Sequence, residues 1–583
     1  MIEHAGGRVV YESADEVPWD EDVDVVVVGS GAAGWSAAIA AGRAGADVLV
    51  LEKLEQIGGT TAKAGGECGG PSTPGELPQR AGTWLWICNH QWLPGLGRTD
   101  PRDDALRYLA RLARPMQYAP DAANLGLPRD EFALLEAFYD HGRRVVAQLD
   151  ALGAPHLRPL ADTWDYWADL PENQCPKGRA LCMPLPDGRE ATGAEIVEMM
   201  SKAGKELGVQ VRTSTPVHGL VVDSDSGEAV GVQAGRSAAN AMLVRARGGV
   251  VFATGGFTHN RTLRAAHLPS PITGGIAARG STGDFVPLAS ALGAGLANMN
   301  NAWLTPMLLD HGAEPDSGAF RLPGDSMILL NRFGHRVVNE KVTYNEMTRA
   351  FLRWDEALGE YPNRVLVMLF DRSVSERCRA MPGDAPIDEG GGNPLARAGG
   401  ADEHEIVAET LTDLASAIDA RLARHHDRFP GLRLADDWAE QAALSVGRFD
   451  DLARSGVDVD FHRGESRTQR ARSGAPRSAE FANPTMHPFD HSGPWRAMLL
   501  VAGTLDTKGG PVIDPDCRIM RPDDTAIAGM YGAGNCVASP SGEAYWGGGT
   551  TLGLAVTFGW LAGEHAAGRA GPGSASITPP VGE

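Results

Sequence analysis

The stretch Val25-Val26-Val27-Val28-Gly29-Ser30-Gly31-Ala32-Ala33-Gly34, followed by a helical run and then Val48-Leu49-Val50-Leu51-Glu52-Lys53, decides the fold. It reads as strand, glycine turn, helix, strand and acid. Four consecutive valines suit a strand buried on both faces of a parallel sheet. Gly29 permits the tight turn, Gly31 lets backbone N–H groups approach a pyrophosphate, and Gly34 lets helix and strand pack closely. The helix that opens there points its positive end at the phosphates. Glu52 follows about 20 residues on, where a carboxylate accepts hydrogen bonds from ribose hydroxyls. The motif marks a dinucleotide site without choosing between FAD and NAD.

Composition narrows the class. A chain of 583 residues with 43% hydrophobic and 22% charged residues is a soluble globular protein with a large core. Its net charge of −21 disfavours nucleic acid or an anionic membrane as partner. The seven cysteines are scattered, odd in number and without a CxxC, so neither a disulfide framework nor a metal cluster is implied and a reducing compartment fits. Met1–Asp20 carries several acids and no apolar core, unlike a signal peptide. No apolar run approaches the ~20 residues needed to span a bilayer. The expectation is a cytoplasmic protein.

Gly58-Gly59-Thr60-Thr61-Ala62 resembles the segment that runs along the FAD pyrophosphate in the fumarate reductase and ketosteroid dehydrogenase flavoproteins. The C-terminal third carries a more specific likeness. Thr507-Lys508-Gly509-Gly510-Pro511, then Gly529-Met530-Tyr531-Gly532-Ala533-Gly534-Asn535, then Tyr545 with Gly549 and Thr551-Leu552-Gly553, resemble the 3-ketosteroid Δ1-dehydrogenases. Asn339-Glu340 with Tyr344, and Gly456 to Phe461, extend the likeness in order along the chain. The resemblance implies an α/β fold: a Rossmann-like FAD-binding domain with an inserted α+β substrate (cap) domain. The expected division is 1–298 and 499–583 for the FAD-binding domain and 299–498 for the cap, with an insertion at 67–82.

Periodicity predicts helices over 100–114, 129–152 and 194–207, and strands over 209–213, 217–222 and 229–233. Residues 1–22 read as a polar lead-in. Met327 to Glu340 reads as a hairpin with a turn from Asn331 to Gly334. Thr163-Trp164-Asp165-Tyr166-Trp167 is an aromatic cluster, either core anchors or the wall of a pocket for a flat apolar substrate.

The resemblance also implies roles. Beyond Gly29, Ser30, Gly31, Ala32, Ala33, Gly34, Glu52 and Lys53, cofactor contacts come from Gly58, Gly59, Thr60 and Thr61 and from Gly65 and Gly66. Ala253-Thr254-Gly255 and Asp284 bring the chain back to the flavin, a plain helix cap being the alternative at Asp284. Gly534, Asn535, Thr551 and Leu552 close the site. FAD is expected to be noncovalent, with no metal.

Desaturating a ketone beside its carbonyl removes an α proton and a β hydride. Hydrogen bonds to the carbonyl oxygen acidify the α C–H by stabilising enolate charge. The resemblance gives that role to the Tyr545 hydroxyl and the Gly549 N–H, and α-proton abstraction to Tyr344, assisted by a second tyrosine, for which Tyr166 stands. The expected partners are an apolar ketone and a separate electron acceptor; the oligomeric state is not legible. Trp546 and Gly548 stand where the family carries prolines, which bears on which ketone is used. One alternative is a reductase of activated alkenes, for which Arg179 or Arg496 would deliver the proton. Another is an electron-transfer scaffold without its own substrate chemistry. His487 and His491 read as surface or capping histidines.

Overall fold

The computed structural model describes residues 2–5, 8–11, 14–64, 82–237, 240–310, 322, 324–379, 404–472 and 478–570. The chain opens the nucleotide fold with β1 (Glu21–Val28), α1 (Ala32–Arg43), β2 (Val48–Leu51) and the short α2 (Gly59–Lys63). It continues through β3 (Trp84–Trp86), β4 (Ala180–Cys182), β5 (Gln210–Arg212) and β6 (Met242–Phe252). A second unit follows, with β7 (Ala302–Leu308), β8 (Met327–Leu330), α3 (Tyr344–Thr348), β9 (Val365–Phe370) and β10 (Trp495–Thr507). The chain then returns with β11 (Ala526–Gly532) and α4 (Thr550–Arg569).

The predicted parallel core forms in the order β11-β6-β1-β2-β5. One row across it reads Met530, Val250, Val26, Leu49 and Gln210. Val25, Val26 and Val27 are fully buried, as a run of apolar β-branched residues requires when helices cover both faces. The early part of β6 also pairs antiparallel with Ala229–Ala234, which pairs in turn with Val217–Asp223. The segment expected to be a polar lead-in adds to this edge: Arg8–Tyr11 lies parallel to Val217–Asp223, and Ile2–Ala5 pairs with Arg8–Tyr11. Its backbone pairing, not its polarity, decides its place.

The second sheet is antiparallel, in the order β7-β10-β9-β8, with Ile406–Ala408 on the start of β10. Its strands are apolar without alternation because both faces are covered. Ile328, Val367 and Leu499 face the helices Leu411–Ala423 and Trp438–Ser455, whereas Leu329, Met368 and Leu500 pack against Met347 and Phe351. β10 pairs with β7 as far as Thr507, so the chain leaves this sheet after that residue rather than at 498.

The hairpin expected at Met327–Glu340 is half formed. β8 and the Asn331–Gly334 turn are present, but β8 pairs with β9, and the return arm makes only a bridge at Arg336. Side chains hold that arm instead. Buried Glu340 accepts from Arg336 at 2.8 Å and Arg463 at 2.9 Å, and Arg336 reaches Asp458 at 2.7 Å. Arg102–Ala113, Arg129–Ala151 and Gly193–Glu206 form helices as periodicity predicts.

Candidate active site

The glycine turn after β1 is built as its sequence demands. Gly29 has φ +102°, and a Cβ there would lie 2.4 Å from the Ala253 oxygen. Gly34 does not face the cavity; its Cβ would meet the Gly29 oxygen at 1.9 Å, so it sets the packing of α1 on the turn. Gly31 is different. Its φ is −71°, open to any residue, and a Cβ would find only Thr61 Oγ1 at 3.5 Å and the Gly58 oxygen at 3.8 Å. Nothing among the described residues requires glycine there. The space over Gly31 leaves room for a ligand to approach the backbone, which is the third requirement of a pyrophosphate cradle.

Side chains lock the cradle. Thr61 Oγ1 accepts from the Ala32 N–H at 3.0 Å. Ser30 Oγ accepts from the Gly58 N–H at 2.9 Å and donates to Glu52 at 2.6 Å, and the other Glu52 oxygen accepts from the Leu54 N–H at 2.9 Å. Gly58 thus serves as a brace and does not line the cavity. Lys53 turns across to Thr282 at 2.6 Å and Asp284 at 2.5 Å. Asp284 makes no cap hydrogen bond to the helix after it; it accepts from Lys53 and from the Thr282 hydroxyl at 2.6 Å.

These residues open onto one cavity of about 490 Å³. Gly29 to Ala33, Glu52, Lys53 and Gly59 to Thr61 line its nucleotide end. Ala253-Thr254-Gly255, Asp284, Gly534, Asn535, Thr551 and Leu552 line the remainder. Gly65 and Gly66 lie outside the described residues. Thr551 Oγ1 is buried with no partner among the described residues, at the N-terminal turn of α4. An unmet hydroxyl, an open space over Gly31 and a helix end facing the cavity fit an FAD. Gly31, Thr61, Asn535 and Thr551 would hold it.

At the other end of the cavity, three tyrosines from distant parts of the chain converge. Tyr344 opens α3, which Asn345 anchors by accepting from the Leu304 N–H of β7 at 3.0 Å. Tyr545 stands on the loop before α4, and Tyr166 on the loop after the helix Arg129–Ala151. The Tyr166 hydroxyl donates to that of Tyr344 at 2.9 Å. The ring of Tyr545 lies 5.2 Å from Tyr166 and 5.6 Å from Tyr344, centre to centre, both edge-on. Of the aromatic cluster at 163–167, Tyr166 reaches the cavity, whereas Trp164 lies under Lys177. Burial first, then Tyr166 and Tyr545, hold the Tyr344 phenol well above its ordinary value.

Gly549 caps α4 with φ +95°, and a Cβ would strike the Trp84 oxygen at 2.6 Å. Its carbonyl accepts from the Trp86 N–H at 3.1 Å, tying the helix start to β3. Trp546, in place of a family proline, is fully buried, with its ring 5.8 Å from Trp86 and 5.9 Å from Phe138. It is a packing residue behind the site.

Three residues that matter here were not singled out from sequence. Asp506 lines the cavity and accepts from the Gly256 N–H at 2.9 Å and the Thr258 hydroxyl at 3.0 Å, fixing the return loop. Lys508 is fully buried, donating to the Ala544 oxygen at 2.5 Å and the Gly542 oxygen at 3.2 Å, just before Tyr545. Burial pushes its ammonium well below the usual lysine value. The ring of Trp303 lies 3.9 Å beneath that ammonium and 4.8 Å from the Tyr545 ring. The only signal in the sequence is the Thr507-Lys508-Gly509-Gly510-Pro511 run, which gives no roles for its side chains and does not include Asp506 or Trp303.

The alternative proton donors do not reach the cavity. Arg179 is fully buried between Asp100 and Asp165, each at 2.6 Å, and Arg496 pairs with Glu405 at 2.7 Å. His491 binds Asp450 and His487 the Pro488 carbonyl. Among the described residues the cavity lining holds no arginine, histidine or cysteine. No described helix is long and apolar enough to cross a membrane.

The FAD binding domain profile matches residues 24–552, and the chain belongs to that family of FAD-dependent oxidoreductases. It is 30% identical to a 3-oxosteroid 1-dehydrogenase of Mycobacterium tuberculosis over 94% of this chain and 99% of that one. It is 28% identical to a 4-oxocyclohexanecarboxylate 2-dehydrogenase of Sinomonas cyclohexanicum, over 94% and 93%. Its structure is similar to that of a 3-ketosteroid Δ1-dehydrogenase from Sterolibacterium denitrificans in complex with 1,4-androstadiene-3,17-dione. That similarity has a TM-score of 0.74 at 25% identity, covering 94% of this chain and 100% of that one.

Proposed function

We propose that this flavoenzyme introduces a C=C bond next to the carbonyl of a steroid or related alicyclic ketone. The observation that carries this reading is the meeting of Tyr166, Tyr344 and Tyr545 on the cavity that also holds the dinucleotide cradle. The relatives named above act on ring ketones, which supports the substrate class.

The Tyr545 hydroxyl and the Gly549 N–H at the positive end of α4 bind the carbonyl oxygen and stabilise enolate charge. Tyr344 takes the α proton. The hydrogen bond donated by Tyr166 sets the direction of the Tyr344 hydroxyl, while burial and both neighbouring tyrosines keep that phenol protonated at neutral pH. FAD, when bound, supplies the hydride acceptor for the β carbon. Burial of the tyrosines, with Tyr344 only 7% and Tyr545 only 4% exposed, keeps water from the enolate. In this reading the second unit, expected from 299 and continued by β10 to Thr507, is the cap that brings Tyr344 to the nucleotide unit. On the same reading the FAD is held noncovalently, and a separate acceptor takes its electrons. The test is turnover of a saturated 3-ketosteroid with an artificial electron acceptor, followed by mass spectrometry. A product lighter by two hydrogens, conjugated to the carbonyl, is expected; unchanged steroids and cyclohexanones alike would overturn the proposal.

A further inference from the structure

Behind Tyr166 lies a buried charge cluster that the chemistry above does not use. Arg179 is fully buried and forks onto Asp100 through Nε at 2.8 Å and Nη2 at 2.6 Å, and onto Asp165 through Nη1 at 2.6 Å. The Asp165 carboxylate also accepts from Trp86 Nε1 at 2.7 Å and Asn173 Nδ2 at 3.2 Å. Its backbone oxygen accepts from Thr468 of the cap at 2.8 Å. The next residue is Tyr166, whose N–H donates to the Trp546 oxygen at 3.0 Å. The peptide carrying Tyr166 is therefore gripped by β3, by the cap and by the loop that carries Tyr545. Taking two carboxylates and a guanidinium out of water is costly, and core stability alone is served as well by apolar packing. A forked cation does set direction, since its donors lie in one rigid plane.

We propose that Asp165, held by Arg179, is the positioning residue for Tyr166, fixing the direction of the hydroxyl that supports Tyr344. This rests on the catalytic reading of the tyrosines given above. Removing Asp165 leaves Arg179 still paired with Asp100, so it orphans no charge, whereas removing Arg179 strands two carboxylates. Asp165 is the cleaner handle.

The experiment is a double-mutant cycle on the FAD-loaded enzyme, reading flavin reduction by a saturating 3-ketosteroid in Asp165→Ala, Tyr166→Phe and the pair. Product-steroid affinity and thermal melting are measured alongside. Asp165→Ala is expected to slow reduction roughly 10- to 100-fold, as a misplaced catalytic group does. Steroid affinity should stay within about threefold, and adding Tyr166→Phe should slow it little further, because residues acting through one group are not additive. Multiplying effects in the pair, or lost steroid affinity with an unchanged reduction rate, would overturn the proposal. Should Asp165→Ala not fold, Asp165→Asn carries the same cycle with the side-chain size kept. A wild-type flavin that no ketone reduces would instead refute the catalytic reading, a distinguishable failure.

Discussion

The hydroxyl of Tyr166, on the loop after the helix Arg129–Ala151, donates a 2.9 Å hydrogen bond to that of Tyr344, at the start of α3, across 178 residues of chain. The bond gives the two tyrosines unequal tasks. Tyr344→Phe removes the base and is expected to slow flavin reduction by about 10²–10⁴. Tyr166→Phe removes only its support and should cost less. Stopped-flow reduction of both variants checks the order; a reversed order would make Tyr166 the base.

Tyr545→Phe deletes a donor to the substrate carbonyl but leaves its ring packing against Trp303. Loss of an oxyanion-type donor costs about 10²–10³ in rate. The variant should keep a yellow, folded protein, judged by flavin absorbance and melting temperature, while reduction by ketone falls by that factor.

Gly31→Ala separates cofactor binding from folding. Its backbone φ of −71° accepts alanine, and no protein atom lies closer than 3.5 Å to the new Cβ. The apoprotein should melt as the wild type does, yet bind FAD at least about tenfold more weakly, a loss of about 1.4 kcal/mol. Fluorescence titration of apoprotein with FAD measures it. Unchanged affinity would place the pyrophosphate elsewhere.

That glycine shows what sequence could and could not reveal. The turn, α1 and Glu52 follow from steric and electrostatic needs within one short stretch, so they are legible, and the glycine-rich runs point to other lining residues such as Thr254 and Asn535. Tyr166 required a fold-level likeness to be suspected at all, because its distance to Tyr344 is set by a loop clamped to three elements. The roles of Asp506 and Lys508 were hidden for another reason: each satisfies backbone groups of remote loops, Gly256 and Ala544, and no local pattern encodes such partners. The return arm after β8 departs from the expected hairpin because its charged side chains pair inward, Arg336 with Glu340 and Asp458, instead of pairing its backbone with β8.

The Tyr344 phenol is held above its ordinary value of about 10, chiefly by burial. Its phenolate is thus a minor species at neutral pH, and the reduction rate at saturating ketone should climb with pH, without a plateau below about pH 10. The stability effect has the opposite sense. A phenol bound more tightly to its proton when folded contributes nothing against folding below the unfolded value, and stability is lost as pH rises past about 10. A rate plateau beginning near neutrality would contradict this assignment.

The most direct measurement is anaerobic mixing of the oxidised holoenzyme with a 3-ketosteroid whose A ring can still be desaturated, followed at the flavin band near ~450 nm, since the flavin is the hydride acceptor. The account predicts bleaching in wild type that is slowed strongly in Tyr344→Phe and Tyr545→Phe. Bleaching at the wild-type rate in both variants, or none with steroids or monocyclic ketones, would contradict it.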